Sequence, residues 1–354
     1  MKQLIENHRV IVCTGSGGVG KTTLSAALGV VAARMGKRVL VLTIDPARRL
    51  ATTLGIDQSA DEVRVPGQNY AGSLHAGMID QTGIFADYIR RHAPDQATID
   101  DLFNNALYQQ LSTTLSGSQE FTSLSKLVDT ASSGRYDLVI LDTPPAAHAV
   151  DFLRAPEKLN AVFDTTIISM FMGRTRGLKL ASTAWKMGVK MLLGTLTLLT
   201  GSQFVATFNS FFSAIDAIAP AIRETNLKAH HLLLDRRTAF VLITSFDQAK
   251  IIEGEAFHDE LKHAGYHLKK VIVNRAWPSW AEPGSPQVLA AQAELQQQGL
   301  TDLATLHRTL CAYYADRARA HTRFENILKL AEFDTEVVGL HALEQLADRL
   351  EQIG

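Results

Sequence analysis

The chain has 354 residues and a mass of 38.7 kDa, with 46% hydrophobic and 20% charged residues. That composition excludes a disordered chain, and the length exceeds the roughly 250–300 residues at which one core stops growing, so a large domain with a helical annex, or two domains, is expected. Thirty-five Lys and Arg against 36 Asp and Glu give a formal net charge of −1, which supplies no field to hold a polyanion and sets nucleic acid aside as a partner.

The opening segment MKQLIENH is polar and carries no apolar run, so no secretory signal is expected and the protein is expected in the cytoplasm, any membrane association arising through a partner. The first strand is expected over Val10–Thr14, followed by an amphipathic helix over Thr22–Met35 and a second strand over Val39–Ile44. Leu74–Asp80 reads as a further, weaker strand, and Phe85–Ser132 as a helical excursion. Leu138–Leu141 is the next apolar strand. Val150–Asp235 is again helical in pattern, and the strands Phe240–Thr244 and Val271–Val273 follow, then Ile327–Ala331 and a closing helix over Leu340–Ile353. The strongest strands are short, β-branched and without alternation, as strands covered on both faces are. Strand followed by helix, repeated, means an α/β fold: a mostly parallel sheet covered by helices on both faces, plus a helical subdomain. The expected division is a core of residues 1–149 and 237–354, with the helical excursion 85–132, and a helical insertion at 150–236.

Residues 191–215 form a 25-residue stretch without a charge, but nine of these are Thr, Ser, Gln or Asn and two are glycine, too polar a mixture for a membrane span. No transmembrane segment is expected. Cys13 and Cys311 stand alone, without a CxxC or a His/Cys cluster, so neither a disulfide framework nor a structural zinc site can be built within one chain.

Directly after the first strand, Gly15-Ser16-Gly17-Gly18-Val19-Gly20-Lys21-Thr22-Thr23 satisfies GxxxxGK[ST] and runs into a helix. Glycines let successive backbone N–H groups face one concavity, and the helix N-terminus adds partial positive charge, a combination that cradles phosphate oxygens. Lys21 then reaches the β- and γ-phosphates, and the Thr22 hydroxyl takes a place on Mg²⁺. The second strand closes on Asp45, which by itself reads as a helix cap before Pro46. Beside a phosphate loop it reads instead as the group that orients the attacking water, close enough to share the metal. The strand Leu138–Leu141 closes on Asp142, an apolar strand ending in a carboxylate that holds Mg²⁺ directly or through water. His148 follows as either a γ-phosphate contact or a packed side chain. Asn274 and Arg275 end the strand Val271–Val273. The carboxamide of Asn274 matches the N6/N7 edge of adenine, and a turn-forming asparagine is the alternative.

GSGGVGKTT, IDPARRL, LDTPPAAH and VIVNR, in this order and at these separations, resemble the ArsA-type family of P-loop ATPases, which includes the arsenite-pump ATPase and the targeting factor for tail-anchored membrane proteins. The resemblance covers essentially the whole chain. It implies ATP and Mg²⁺ as cofactors, a loop at Phe333–Gly339 bordering the adenine, and a dimer that closes over two ATP molecules. Ser16 occupies the position of the family's additional lysine, whose charge crosses to the partner's phosphates. Its absence should slow hydrolysis, unless Arg48 or Arg49 compensates or the partner is a lysine-bearing paralogue in a heterodimer rather than a second copy. Residues 165–215 carry five cations, no Asp or Glu, and Met170, Met172, Met187 and Met191, four of the chain's seven methionines. In the targeting factor the corresponding region binds a client's transmembrane helix, so a hydrophobic or transmembrane client is expected, the alternative being a helical annex facing its own core. Two readings stand beside this one: the energising subunit of an arsenite or anion pump, for which two thiols are too few, and a weakly hydrolysing regulatory subunit, suggested by Ser16.

Overall fold

The computed structural model describes residues 1–44, 49–56, 62–79, 81–111, 116–145, 153, 202–282, 284–319, 324–333 and 335–353. Asp45, Arg48, His148 and the four methionines between 170 and 191 lie outside them. Contacts divide the chain into two compact units, one of Met1–Ile79, Thr130–Val150 and Leu233–Gly354, the other of Asp80–Asp129 and Asp151–Leu232.

The first unit is built on an eight-stranded sheet. Its strands are β1 (Val10–Gly15), β2 (Arg38–Thr43), β3 (Glu62–Arg64), β4 (Ser73–Met78), β5 (Leu138–Asp142), β6 (Thr238–Thr244), β7 (Leu268–Val273) and β8 (Ile327–Lys329). They lie in the order β3-β4-β2-β5-β1-β6-β7-β8. Every neighbouring pair is parallel except β3 with β4. The central strands are buried along their length: Ile11, Cys13, Val41, Ile140 and Val241 join one core cluster on one face, while Val12, Leu40, Leu141 and Leu242, pointing the other way, are 0% exposed. Burial on both faces is what the unbroken apolar runs require, because no register of such a strand leaves a side for water.

Of the seven expected strands each is present, with ends shifted by a few residues; β4 closes at Met78 rather than Asp80, and β8 at Lys329 rather than Ala331. β3 is an addition. Its three residues, Glu-Val-Arg, carry one apolar side chain between two charges and pair with β4 at the sheet edge. The opening segment is also more ordered than its polarity suggests, forming α1 (Lys2–Asn7), which buries Leu4 and Ile5.

The helix after the phosphate loop, α2 (Lys21–Arg34), has small and aliphatic residues from Leu24 to Ala33 that are all buried. A helix apolar all round has to be enclosed. The sheet closes one side, and α12 (Gly339–Ile353) closes another with Leu343, Leu346 and Leu350, which join the same core cluster. Short α3 (Arg49–Leu54) packs against both helices. On β6 and β7 sits α9 (Gln248–His263), capped by Asp247, whose carboxylate accepts from the amides of Ala249 and Lys250. A hairpin of α10 (Pro286–Gln297) and α11 (Thr301–Arg319) lies between β7 and β8 in the chain.

The second unit is helical among its described residues: α4 (Gln81–His92), α5 (Gln96–Phe103), α6 (Ala106–Leu111), most of α7 (Ser116–Ser132) and most of α8 (Ser202–Leu234). Its core gathers Tyr88, Ile89, Leu102 and Phe121 around Phe211, Ile215, Ile218 and Ile222 of α8. The Tyr88 hydroxyl meets Thr225 Oγ1 at 2.9 Å, and Asn105 Nδ2 donates to the Thr207 carbonyl at 2.8 Å. Phe211 and Ile215, at the end of the uncharged stretch, therefore serve this unit's own core. No helix among the described residues is long and apolar enough to cross a membrane.

Candidate functional site

In a parallel sheet all C-terminal strand ends share one edge, so the residues that close β1, β2, β5 and β7 arrive together. At that edge β1 delivers Gly15, whose φ is +146° and where an added Cβ would lie 1.8 Å from the Ile243 carbonyl oxygen on β6. No side chain fits. Five residues on, Gly20 adopts φ +89°, the left-handed conformation that turns the loop into α2, and a Cβ there would meet Asn274 Nδ2 at 2.6 Å. The opening amides of a helix have no intrahelical acceptor, and this end, Lys21, Thr22 and Thr23, lines a cleft of about 810 Å³ together with Gly17, Gly18 and Gly20.

Lys21 is 8% exposed, and its Nζ donates to the Ser16 carbonyl at 2.9 Å, so the ammonium lies against the loop that precedes its own helix. Ser16 contributes through that carbonyl. Its side chain is 0% exposed, and its Oγ is buried without a hydrogen-bond partner among the described residues. We expect Ser16→Ala to leave the melting temperature unchanged or to raise stability by up to about 1 kcal/mol, since it removes a desolvated hydroxyl. A clear loss in thermal melting would show that the hydroxyl is bonded.

Asp142, 1% exposed at the end of β5, receives two hydroxyls on one oxygen: Thr22 Oγ1 at 2.7 Å from the loop's helix and Thr43 Oγ1 at 2.9 Å from the end of β2. The backbone holds the same junction, with the Ile44 amide donating to the Asp142 carbonyl at 3.2 Å and the Thr143 amide to the Cys13 carbonyl at 3.1 Å. A hydroxyl that spends its proton on a carboxylate turns its lone pairs elsewhere, so Thr22 Oγ1 is prepared as a metal ligand. Oxygen donors of this kind suit Mg²⁺, which keeps waters and phosphate oxygens in its shell rather than needing an all-protein cage. Among the described residues no group of three His, Cys, Asp or Glu is placed to hold a metal by itself. Thr22, with Asp142 behind it, thus fits a magnesium ion that arrives with a triphosphate.

Across the cleft, the Asn274 amide donates to the Thr244 carbonyl and its side-chain Nδ2 donates to the Val19 carbonyl, both at 2.8 Å. Arg275 follows with φ +51° and a side chain 60% exposed, its Nε 3.8 Å from a Glu332 carboxylate oxygen. Glu332, Phe333, Val337 and Val338 line the same cleft, as do Arg49, Thr52 and Thr53 of α3. The Arg349 guanidinium lies 4.5 Å from the Phe333 ring centroid, anchoring that wall to α12. The structure therefore brings together Gly15 to Thr23, Asp142, Asn274 and Arg275. The roles expected for Asp45 and His148 fall outside the described residues. Sequence reasoning passed over Thr43, which looks like an ordinary strand residue, and the Glu332 partner of Arg275.

A glycine loop between the first strand of a parallel sheet and its helix, with a lysine on the loop and a threonine bonded to the aspartate of a neighbouring strand, defines a P-loop nucleoside triphosphatase. The profile of the anion-transporting ATPases matches residues 8–352, and the chain belongs to that family, the ArsA-type ATPases. It is similar to the ATPase ASNA1 homolog 1 of Paramecium tetraurelia, with 25% identity over 87% of this chain and 86% of that one. It is similar also to the ATPase GET3 of Podospora anserina, with 24% identity over 97% and 90%, and to the ATPase get3 of Neurospora crassa, with 23% over the same shares. The chain is accordingly an ATPase.

Proposed function

We propose that the protein is a Mg²⁺-dependent ATPase acting in the cytoplasm, in which nucleotide state sets the geometry of a dimer coupled to a hydrophobic or membrane-derived client. The observation that carries the metal-nucleotide part is the pair of hydroxyls, Thr22 and Thr43, converging on the Asp142 carboxylate beside the loop of Lys21. In this reading the backbone from Gly15 to Thr23 wraps the phosphates and Lys21 neutralises the β- and γ-oxygens. Thr22 and Asp142 hold the magnesium, which supplies charge neutralisation when bound. Asp45 accepts a hydrogen bond from the attacking water, and His148 sits near the γ-phosphate. Asn274, Arg275 and the wall from Glu332 to Val338 receive the base.

The core of residues 1–149 and 237–354 performs this chemistry, and the insertion at 150–236 receives the client. The acid-free, methionine-rich sequence of residues 165–215 supports that division. Ser16 offers no cation to a facing subunit, which favours a partner carrying a lysine there or slow turnover in a homodimer. A metalloid-driven pump subunit is disfavoured because Cys13 is 0% exposed and burial pushes its thiol up to about 12, far from the thiolate that metalloid binding needs.

The test is Asp45→Asn. Bound to ATP it should hold nucleotide with unchanged affinity while turnover falls roughly a hundredfold or more. Used as bait with ATP, it should retain a client that the wild type releases. Undiminished turnover would remove Asp45 from the mechanism.

A further inference from the structure

The nucleotide cleft takes up one edge of the sheet, and the opposite edge, where the parallel strands begin, is basic. The residues that lead into β1, β2 and β6 and open β7 are Arg9, Lys37, Arg38, Arg236, Arg237 and Lys269, in a chain whose formal net charge is only −1. Backbone bonds set them side by side. The Arg9 amide donates to the Arg237 carbonyl and the Asp137 amide to the Arg38 carbonyl, both at 2.8 Å. The strand order β2-β5-β1-β6-β7 lays the cations along four interstrand spacings, about 19 Å. Helices α2 and α9 end at this edge, and their dipoles draw cations to it, but each end offers about half a negative charge that fades within a turn.

Two nearby carboxylates are already engaged. Asp137 receives the Arg38 backbone amide and Nε on one oxygen and Nη2 on the other, and Asp235 receives Nε and Nη2 of Arg237. Arg9 and Lys37 line a hollow of about 350 Å³ with Glu6, Asp137 and Arg237, and neither forms an ion pair among the described residues. Arg236 and Lys269, both exposed, are likewise unpaired among them. The edge therefore presents a row of cations in excess of the acids beside it.

We infer that this edge is a docking surface for anionic phospholipid headgroups, through which the protein meets a membrane directly rather than through a partner alone. The inference does not depend on reading the cleft as the nucleotide site. Headgroups in a fluid bilayer move, so a row of cations needs no particular spacing to collect them, and each Lys or Arg brought near such a surface raises affinity about fivefold. The contact is peripheral, since no helix among the described residues is long and apolar enough to cross a membrane. A single-stranded nucleic acid would need exposed rings on which bases stack, and the exposed rings among the described residues, Trp280 and Tyr313, lie in the connection between β7 and β8 instead. The phosphate loop stands a strand length from this edge, about 20 Å for the six residues of β1, so lipid contact leaves the cleft uncovered.

Co-sedimentation of the full chain with vesicles tests this. Phosphatidylcholine alone should leave the protein in solution, and phosphatidylcholine mixed with phosphatidylserine should carry it down. Raising the salt from about 0.1 M to about 1 M, which shortens the screening length from about 10 Å to about 3 Å, should release it. Arg9→Gln combined with Lys37→Gln should weaken binding about 25-fold, and so should Arg236→Gln combined with Lys269→Gln, because mobile headgroups respond to the number of charges rather than to one arrangement of them. Both pairs lie away from the cleft, so both variants should keep the wild-type melting temperature and ATPase rate. Equal binding to the two kinds of vesicle would overturn the inference without any variant. Undiminished binding by both variants would also overturn it and place the lipid contact elsewhere, as on the acid-free residues 165–215. A loss confined to the Arg9 and Lys37 pair, together with release by inorganic phosphate, would make the hollow a small-anion pocket and overturn the membrane reading. Duplex DNA held more tightly than the vesicles at the same salt would overturn it as well, as the mark of a nucleic-acid surface.

Discussion

Lys21→Ala yields a folded protein that ATP no longer stabilises. The lysine is the first residue of α2, buried to 8% exposure, and the hydrogen bond seen for its ammonium is to the Ser16 carbonyl of the same loop. A single charge-assisted bond of this sort contributes about 1.5–3 kcal/mol, and its loss is partly offset by no longer desolvating the ammonium. The fold does not depend on it. The sheet edge is fixed by backbone bonds, and the glycine turns need no lysine. Nucleotide binding is expected to depend on it, because a triphosphate brings about four negative charges to a cleft whose lining cations are Lys21, Arg49 and Arg275 among the described residues. Arg275 already faces Glu332 at 3.8 Å. Thermal melting measures both parts at once. Ligand present at a hundred times its dissociation constant stabilises by about 2.7 kcal/mol, a shift the wild type should show with Mg²⁺ and ATP and the variant should lack. Hydrolysis should fall with it, by roughly a hundred- to a thousandfold or more. A variant that melts like the wild type and still gains stability from ATP would mean that the phosphates lie somewhere other than the loop.

Such a prediction rests on parts of the site that local sequence makes readable and on others that it does not. The loop is local: nine consecutive residues dictate their own turns, and the glycines at 15 and 20 are where the backbone admits nothing larger. The buried strands are readable for a similar reason, since runs such as Val39 to Leu42 and Leu138 to Leu141 have no side that water could occupy. β3 is not, because three residues with two charges hold their place by pairing with β4 and by bonds from Arg135 and Tyr136 to the Glu62 carboxylate, interactions with no trace in the segment itself. Thr43 escaped notice for a related cause. A threonine ending a β-branched run is unremarkable until β5 lies alongside in register, Thr43 opposite Asp142, and brings the carboxylate within 2.9 Å of its hydroxyl. The tie from Asn274 to Val19 spans 255 residues, and nothing in either segment announces the other. Residue identities thus display the chemistry available, while the sheet order decides which of them meet.

The second large effect follows from that meeting. Asp142→Asn keeps the shape of the junction: the substituted amide can turn its oxygen to the two hydroxyls that Asp142 Oδ2 receives at 2.7 and 2.9 Å, so the strand end and the loop stay joined. What disappears is the negative charge behind Thr22. A hydroxyl whose proton is drawn by a carboxylate is a better oxygen donor than one bonded to a neutral amide, and loss of such a supporting partner typically costs 10- to 100-fold in metal affinity. We therefore expect the Mg²⁺ concentration for half-maximal hydrolysis to rise by about that factor, while ATP without metal binds the variant at least as well as the wild type, since one negative charge no longer faces the phosphates. The two responses move in opposite directions, which separates this cause from general damage to the cleft. An unchanged Mg²⁺ requirement would show that Asp142 only braces the two threonines, and the metal's support would then have to come from the carboxylate that follows β2.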